Sequence, residues 1–309
     1  MNSRLFSIYR RKFIPTKVFY KTKSGPKFGK GKLKDPNRLP NSAKLFLPIH
    51  RKALNMHYQN VYSAEEIFDP PENIKINNDL LVGDFTKDDL LIAKPGSSIL
   101  NKLNNKFERT LARYLNEAIT NDSLTTGVRK TFTNNFVCFL LTNLEFNIDP
   151  LLMRLQSDYS FNISDKEVTA KIEFSIEKNN KVLFIDEDKH LYSLKPYSEY
   201  GESQISAEIL ACAFTNFYSV DNPTAGESQM IYATRVIGTR FTFYKAFLSS
   251  DYCESLKKGF PPDNLTVTIS RFPSNDQNIT RFGYDYANKN HRCLIIDLLY
   301  RLKECLLEI

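Results

Sequence analysis

Apolar residues recur along this chain with two periods, near four and near two, and the switches between them locate the elements. From Ile99 to Ile119 the residues Leu103, Phe107, Leu111, Leu115 and Ile119 come every fourth position, predicting an amphipathic helix. Thr126 to Phe146 predicts a second helix, apolar around Phe136 to Leu141. Met153 to Phe161 alternates and predicts a strand. Val168–Ile176 and Val182–Lys189, joined by Glu177 to Lys181, predict a hairpin of two largely buried strands. Glu202 to Phe214 returns to helical period, with Ile205, Ile209, Leu210 and Ala213 on one face and Ser203 as a cap. Gln229 to Lys245 predicts two strands around Gly238, Leu265 to Phe272 another strand, and His291 to Leu307 a closing helix. The order alternates helices with strands, so helices should flank a central mixed sheet in a layered α/β arrangement.

The first third reads differently. Residues 41–98 hold Pro48, Pro70, Pro71 and Pro95 and predict an irregular connection, with His50 and His57 as surface residues. Residues 1–40 form a basic segment, and 99–309 the folded domain. The 309 residues suffice for one large or two small domains with a sizeable core. The chain carries a net charge of +7, but residues 1–34 hold eleven Lys/Arg and no acid; the remainder therefore has 31 basic and 35 acidic residues, a net of −4. The basicity is a property of the terminus. Arg10, Arg11 and Lys12 fit an Arg-rich transit peptide, while Lys30, Lys32 and Lys34 fit a nucleic-acid arm or nuclear-import cluster. An intracellular protein is expected, with mitochondrial matrix and nucleus both open. No apolar run is long enough for a bilayer, so no membrane partner is expected. The five scattered cysteines predict reduced, buried thiols. Phosphate-cradling glycine motifs and a nucleophile elbow are absent from the sequence, which argues against a nucleotide cofactor. Nothing in the pattern specifies an oligomeric state.

Candidate chemistry gathers on the hairpin. Val182-Leu183-Phe184-Ile185 runs into Asp186-Glu187-Asp188-Lys189, and the preceding strand carries one acid, Glu173. Buried carboxylates must be paired or must ligate a metal. An antiparallel hairpin would bring Glu173 toward Glu187, and two such carboxylates suit a hard divalent cation. Alternation puts Glu187 and Lys189 on one face, and Asp186 and Asp188 on the other, solvated or binding a second ion. The loop after the motif interleaves Tyr192, Tyr197 and Tyr200 with Lys195, a pattern that stacks bases or is an ordinary polar loop. His190 points away from Glu187 and Lys189.

Glu173 followed by Glu187-Asp188-Lys189 resembles the PD-(D/E)XK nuclease superfamily. Val236-x-Gly238-Thr239-x-Phe241-Thr242-Phe243-Tyr244 is similar to strand pairs of fungal and Crinkler-type members. The likeness spans roughly residues 100–300. It departs at Glu173, where the first acid is usually Asp preceded by Pro, and at Asp188, usually small or apolar. The resemblance implies a restriction-endonuclease-like core and a nuclease cutting DNA, in preference to RNA. It assigns Glu173 and Glu187, helped by the Asp188 carbonyl, to Mg²⁺ or Mn²⁺. Lys189 would serve as a catalytic cation and Gln204 as its orienting partner, with Glu108 and Glu208 as auxiliary acids. The extra acids leave a second expectation open, an inactive nuclease-fold protein acting as a nucleic-acid-binding or effector module. The basic terminus leaves a third, a mitochondrial assembly protein.

Overall fold

The computed structural model describes residues 33–69, 83–103, 105–122, 124, 129–189, 199, 201–276 and 281–309, with the backbone alone at 187–189. Eight strands form one mixed sheet in the order β1-β7-β6-β5-β4-β3-β2, with β8 added to β6. They are β1 Met56–Asn60, β2 Leu152–Ile163, β3 Lys166–Lys178, β4 Lys181–Lys189, β5 Gln229–Ile237, β6 Arg240–Leu248, β7 Val267–Phe272 and β8 Tyr284–Asp285. The pairs β1/β7 and β4/β5 are parallel and the others antiparallel.

The described helices are α1 Pro48–Ala53, α2 Ala64–Ile67, α3 Lys87–Leu91, α4 Ser98–Lys102, α5 Lys106–Asp122, α6 Lys130–Asn143, α7 Glu202–Tyr218, α8 Ser250–Ser255 and α9 Lys289–Glu308. They divide between the sheet's two faces. Leu111 and Leu115 of α5, Phe136 and Leu140 of α6, and Ile295 and Leu299 of α9 join one core with Tyr232 and Val236 of β5. Ile205, Ile209 and Ala213 of α7 join the other with Ile231 and Ala233 of β5. Alternation along β5 is thus the physical divider, odd positions to α7 and even positions to α5, α6 and α9. No helix among the described residues is long and apolar enough to cross a membrane.

The expected helix at 99–119 is two. Asn105 turns its Oδ1 onto the backbone N–H of Phe107 at 2.8 Å, and Arg109 Nη1 caps the Leu103 carbonyl at 2.7 Å, so the run restarts as α5. Ser203 is not the cap of α7. That helix starts at Glu202 after Gly201, whose φ of +92° only glycine adopts readily. Nor does α7 show one buried face; it is buried nearly all round, because the sheet lies on one side and α1, α8 and the turn Ala43–Leu45 cover much of the rest.

The largest correction concerns residues 41–98. In its described residues, 41–69 and 83–98, the segment is folded into the sheet and its cores and is not an irregular connection. β1 adds an edge strand through Met56↔Val267 to Asn60↔Arg271, and Leu54, Met56, Phe68, Phe85 and Leu90 are fully buried or nearly so. Asn55, at φ +50°, donates from Nδ2 to the carbonyls of Pro261, Pro262 and Leu265. His50 is buried, its Nδ1 accepting from the Leu47 N–H at 3.0 Å, whereas His57 is exposed. All five cysteines are free; Cys212, Cys253 and Cys305 are buried, Cys138 half-buried and Cys293 exposed.

Candidate functional site

β3 and β4 form the antiparallel hairpin, with a bulge near Ile176 that sends both Leu183 and Phe184 to the α6 side. Their ladder ends at Phe174↔Asp186. The ladder is not continued to Glu173 and Glu187: the Glu173 side chain meets the α6 layer, and Arg235, the β5 neighbour of the Glu187 backbone, faces the α7 layer. On its other edge β4 runs parallel to β5, which puts the Glu187 backbone beside Arg235 and that of Lys189 beside Ile237. The side chains of Glu187, Asp188 and Lys189 lie outside the described residues, as do His190, Tyr192, Lys195, Tyr197 and Tyr200. So do Arg10, Arg11, Lys12, Lys30 and Lys32; Lys34 is described and exposed.

Glu173 sits where β3 changes sides. Ile172 belongs to the α7 core and Phe174 to the other. The ladder to β2 runs from Leu155↔Phe174 to Ser157↔Ile172 across Gln156, whose φ is +53°. This local irregularity re-aims the strand, as bulges do. The Glu173 carboxylate meets α6: Lys130 Nζ donates to Oε1, and Asn134 Nδ2 donates to Oε2 at 2.6 Å. Of the two expectations for Asp186, solvated or binding a second ion, burial removes the first. Asp186 is 1% exposed and accepts from Thr234 Oγ1, between Tyr232 and Val236 on the α6 face.

The α7 face carries a second polar group. Gln204 Nε2 donates to Glu208 Oε1 at 2.5 Å, one turn on, and both are buried. The structure therefore joins Gln204 to Glu208, and Glu173 to Lys130 and Asn134, on helices of opposite layers. Glu108 lies half-buried in the first turn of α5. Glu202, at the start of α7, accepts from Arg271 Nε at 2.6 Å and from the Tyr244 hydroxyl at 3.2 Å, with Arg235 Nη1 at 3.8 Å. Arg235 and Arg271 are each 1% exposed. Burial, then the Glu202 charge, pushes the Tyr58 phenol well above its usual range; its hydroxyl donates to the Glu202 carbonyl at 2.6 Å. Burial, then Glu208, likewise raises the Cys212 thiol, which leaves it an inert core group.

Sequence reasoning missed Arg235, Arg271, Glu202, Lys130 and Asn134. A signal existed for the arginines: each is the one charge in its strand, Met-Ile-Tyr-Ala-Thr-Arg-Val-Ile and Val-Thr-Ile-Ser-Arg-Phe. None existed for Lys130 and Asn134, which precede Glu173 by 43 and 39 residues.

Among the described residues no group of three His, Cys, Asp or Glu side chains converges as a metal cage. The chemistry of the acids still fits a hard cation. Glu173 offers carboxylate oxygens at an irregular point midway along β3, its side chain 14% exposed, and its present partners are a cation and an amide donor. No protein-family model matches the chain, and no curated protein matches its sequence.

Proposed function

We propose that this chain is a metal-dependent nuclease of PD-(D/E)XK type, built on a restriction-endonuclease-like core and hydrolysing phosphodiester bonds of DNA in preference to RNA. What supports the reading is the hairpin itself: β3 carries the first acid, Glu173, and β4 the Glu-x-Lys motif, in one antiparallel pair whose ladder reaches Phe174↔Asp186. The succession α6, β2, β3, β4, α7, β5, with β4 parallel to β5, supports it.

Glu173 and Glu187, with the Asp188 backbone carbonyl, would hold Mg²⁺ or Mn²⁺. The ion supplies Lewis acidity toward the scissile phosphate and lowers the pKa of water. Lys189 would steady the attacking water and offset charge building on the phosphate. The buried Arg235 and Glu202 brace the strand beside Glu187, which keeps the motif's backbone in place. The basic residues Arg10, Arg11, Lys12, Lys30, Lys32 and Lys34 would add a salt-dependent attraction to phosphates.

One observation favours a second reading. Both Glu173 oxygens already accept from protein donors, as in a nuclease fold that has kept binding and lost cleavage. The test is incubation of purified protein with single- and double-stranded DNA and RNA, with Mg²⁺ or Mn²⁺ against chelator. Metal-dependent cutting is expected, with Glu187→Ala and Lys189→Ala each abolishing it at an unchanged melting temperature. Metal-independent binding without cutting would move the assignment to the second reading. Neither cutting nor binding by folded protein would end both.

A further inference from the structure

We infer that Lys130 is a built-in counter-ion for Glu173, holding that carboxylate in place while no divalent cation is bound and giving way when one binds. The inference rests on the reading of Glu173 as a cation ligand.

Lys130 is the first residue of α6, a helix of 14 residues. A cation there opposes the helix dipole, whose positive end favours anions. Its position therefore adds nothing to α6 itself, and Glu173 is a carboxylate that offsets the charge. The two ends of the pair differ in freedom: the Lys130 side chain is 41% exposed and that of Glu173 14%. The ammonium has an open path to water, where its hydration replaces the ion pair at little cost. The carboxylate is less exposed and keeps a second holder. Asn134, one turn further along α6, donates to the other oxygen.

Lys130 and a divalent ion compete for one site. A cation ligating Oε1 would sit a few ångströms from the Lys130 ammonium, and like charges at that range exclude each other. Asn134 does not compete, because a neutral amide donating to Oε2 leaves the remaining lone pairs for a metal. The two α6 residues should thus act with opposite sign. Lys130 lowers cation affinity, and Asn134 raises it by keeping the carboxylate aimed. A purely structural pair of contacts would give the same sign for both.

The test is calorimetric titration of the full chain with manganese chloride, with melting curves as a fold check. Lys130→Met should bind Mn²⁺ about two- to fivefold more tightly than the parent, the scale of a half-exposed ion pair. Lys130→Arg, which keeps the charge, should match the parent, Asn134→Ala should bind more weakly, and Glu173→Gln should lose binding. If Glu173→Gln loses binding while Lys130→Met binds equally or less tightly, the counter-ion role is overturned and the ligand reading stands. If Glu173→Gln binds like the parent, the ligand reading fails and the inference with it. Should Lys130→Met melt below the titration temperature, Lys130→Gln carries the same comparison.

Discussion

Two buried residues bear different kinds of electrostatic weight. Glu202 is one carboxylate facing Arg271 at 2.6 Å and Arg235 at 3.8 Å, with both guanidinium groups out of water. Glu202→Gln should cost about 3–5 kcal/mol in a denaturation curve, because it leaves buried positive charge short of its carboxylate. A cost under about 1 kcal/mol would show that the arginines are neutralised elsewhere. His50 is the pH-sensitive counterpart. Burial lowers its pKa from the ordinary 6.5, and its neutral Nδ1 accepts the Leu47 N–H at the start of α1. A base whose folded pKa is depressed stabilises the fold above its unfolded value and loses that contribution as pH falls through the folded one. Stability should therefore drop below pH 6.5, by more in the parent than in His50→Asn, which keeps an acceptor without titrating. Parallel pH curves for the two proteins would exclude His50 as the cause. At this scale the acids of the hairpin were legible, since carboxylates ending an apolar strand stand out. Their partners were not. Lys130, Asn134 and Glu202 look like ordinary helix residues, and only the tertiary fold brings them to a buried charge.

The elements show where local pattern suffices and where it does not. Long periodic segments were read to within a few residues: β3, β4, β5, β6 and α9 all lie where the alternation or the fourfold recurrence put them. The turn between β5 and β6 was legible from Gly238 alone. Gly238 has φ +62° and opens a two-residue loop between Ile237 and Arg240, the position that hairpin turns reserve for glycine. A Cβ there would come within 2.7 Å of Asp122 Cγ, and Asp122 holds Arg240 at 2.9 Å. Gly238→Ala should then cost about 1–3 kcal/mol, combining left-handed backbone strain with loss of that ion pair. A double-mutant cycle with Asp122→Ala checks the second part: the coupling should be clearly non-zero, and strict additivity would leave backbone strain as the whole effect. Pattern failed for β1. Met-His-Tyr-Gln-Asn has one fully buried residue, and its place at the sheet edge lets the rest stay polar, so nothing apolar alternates for long enough to be seen.

The whole molecule depends on that missed strand. A division at residue 99, taken from composition, predicts that 99–309 folds alone. The contacts argue otherwise. The Val267 N–H is bonded to the Asn55 carbonyl at 3.0 Å, and the Tyr252 hydroxyl to the Leu54 carbonyl at 2.7 Å; without residues 33–98 these groups and the whole β7 edge lose their partners. Leu39, Phe46, Leu54, Met56, Ile67, Phe68, Phe85 and Leu90 are buried across both layers, with Phe68 edge-on to Phe243 of β6. At about 1.5–3 kcal/mol each, their burial amounts to about 12–24 kcal/mol before the entropy of ordering the segment is subtracted. A whole domain's net stability is about 5–15 kcal/mol. Truncation strips that cover from the side chains these residues pack on in 99–309 and leaves the β7 edge unpaired, which invites association. The fragment 33–309 should melt cooperatively, whereas 99–309 should give no cooperative transition and should aggregate. Circular dichroism melts and light scattering on the two fragments decide it. If 99–309 is monomeric and melts within a few degrees of 33–309, the N-terminal segment is an appendage, and the sheet's stability must come from the strands around the hairpin alone.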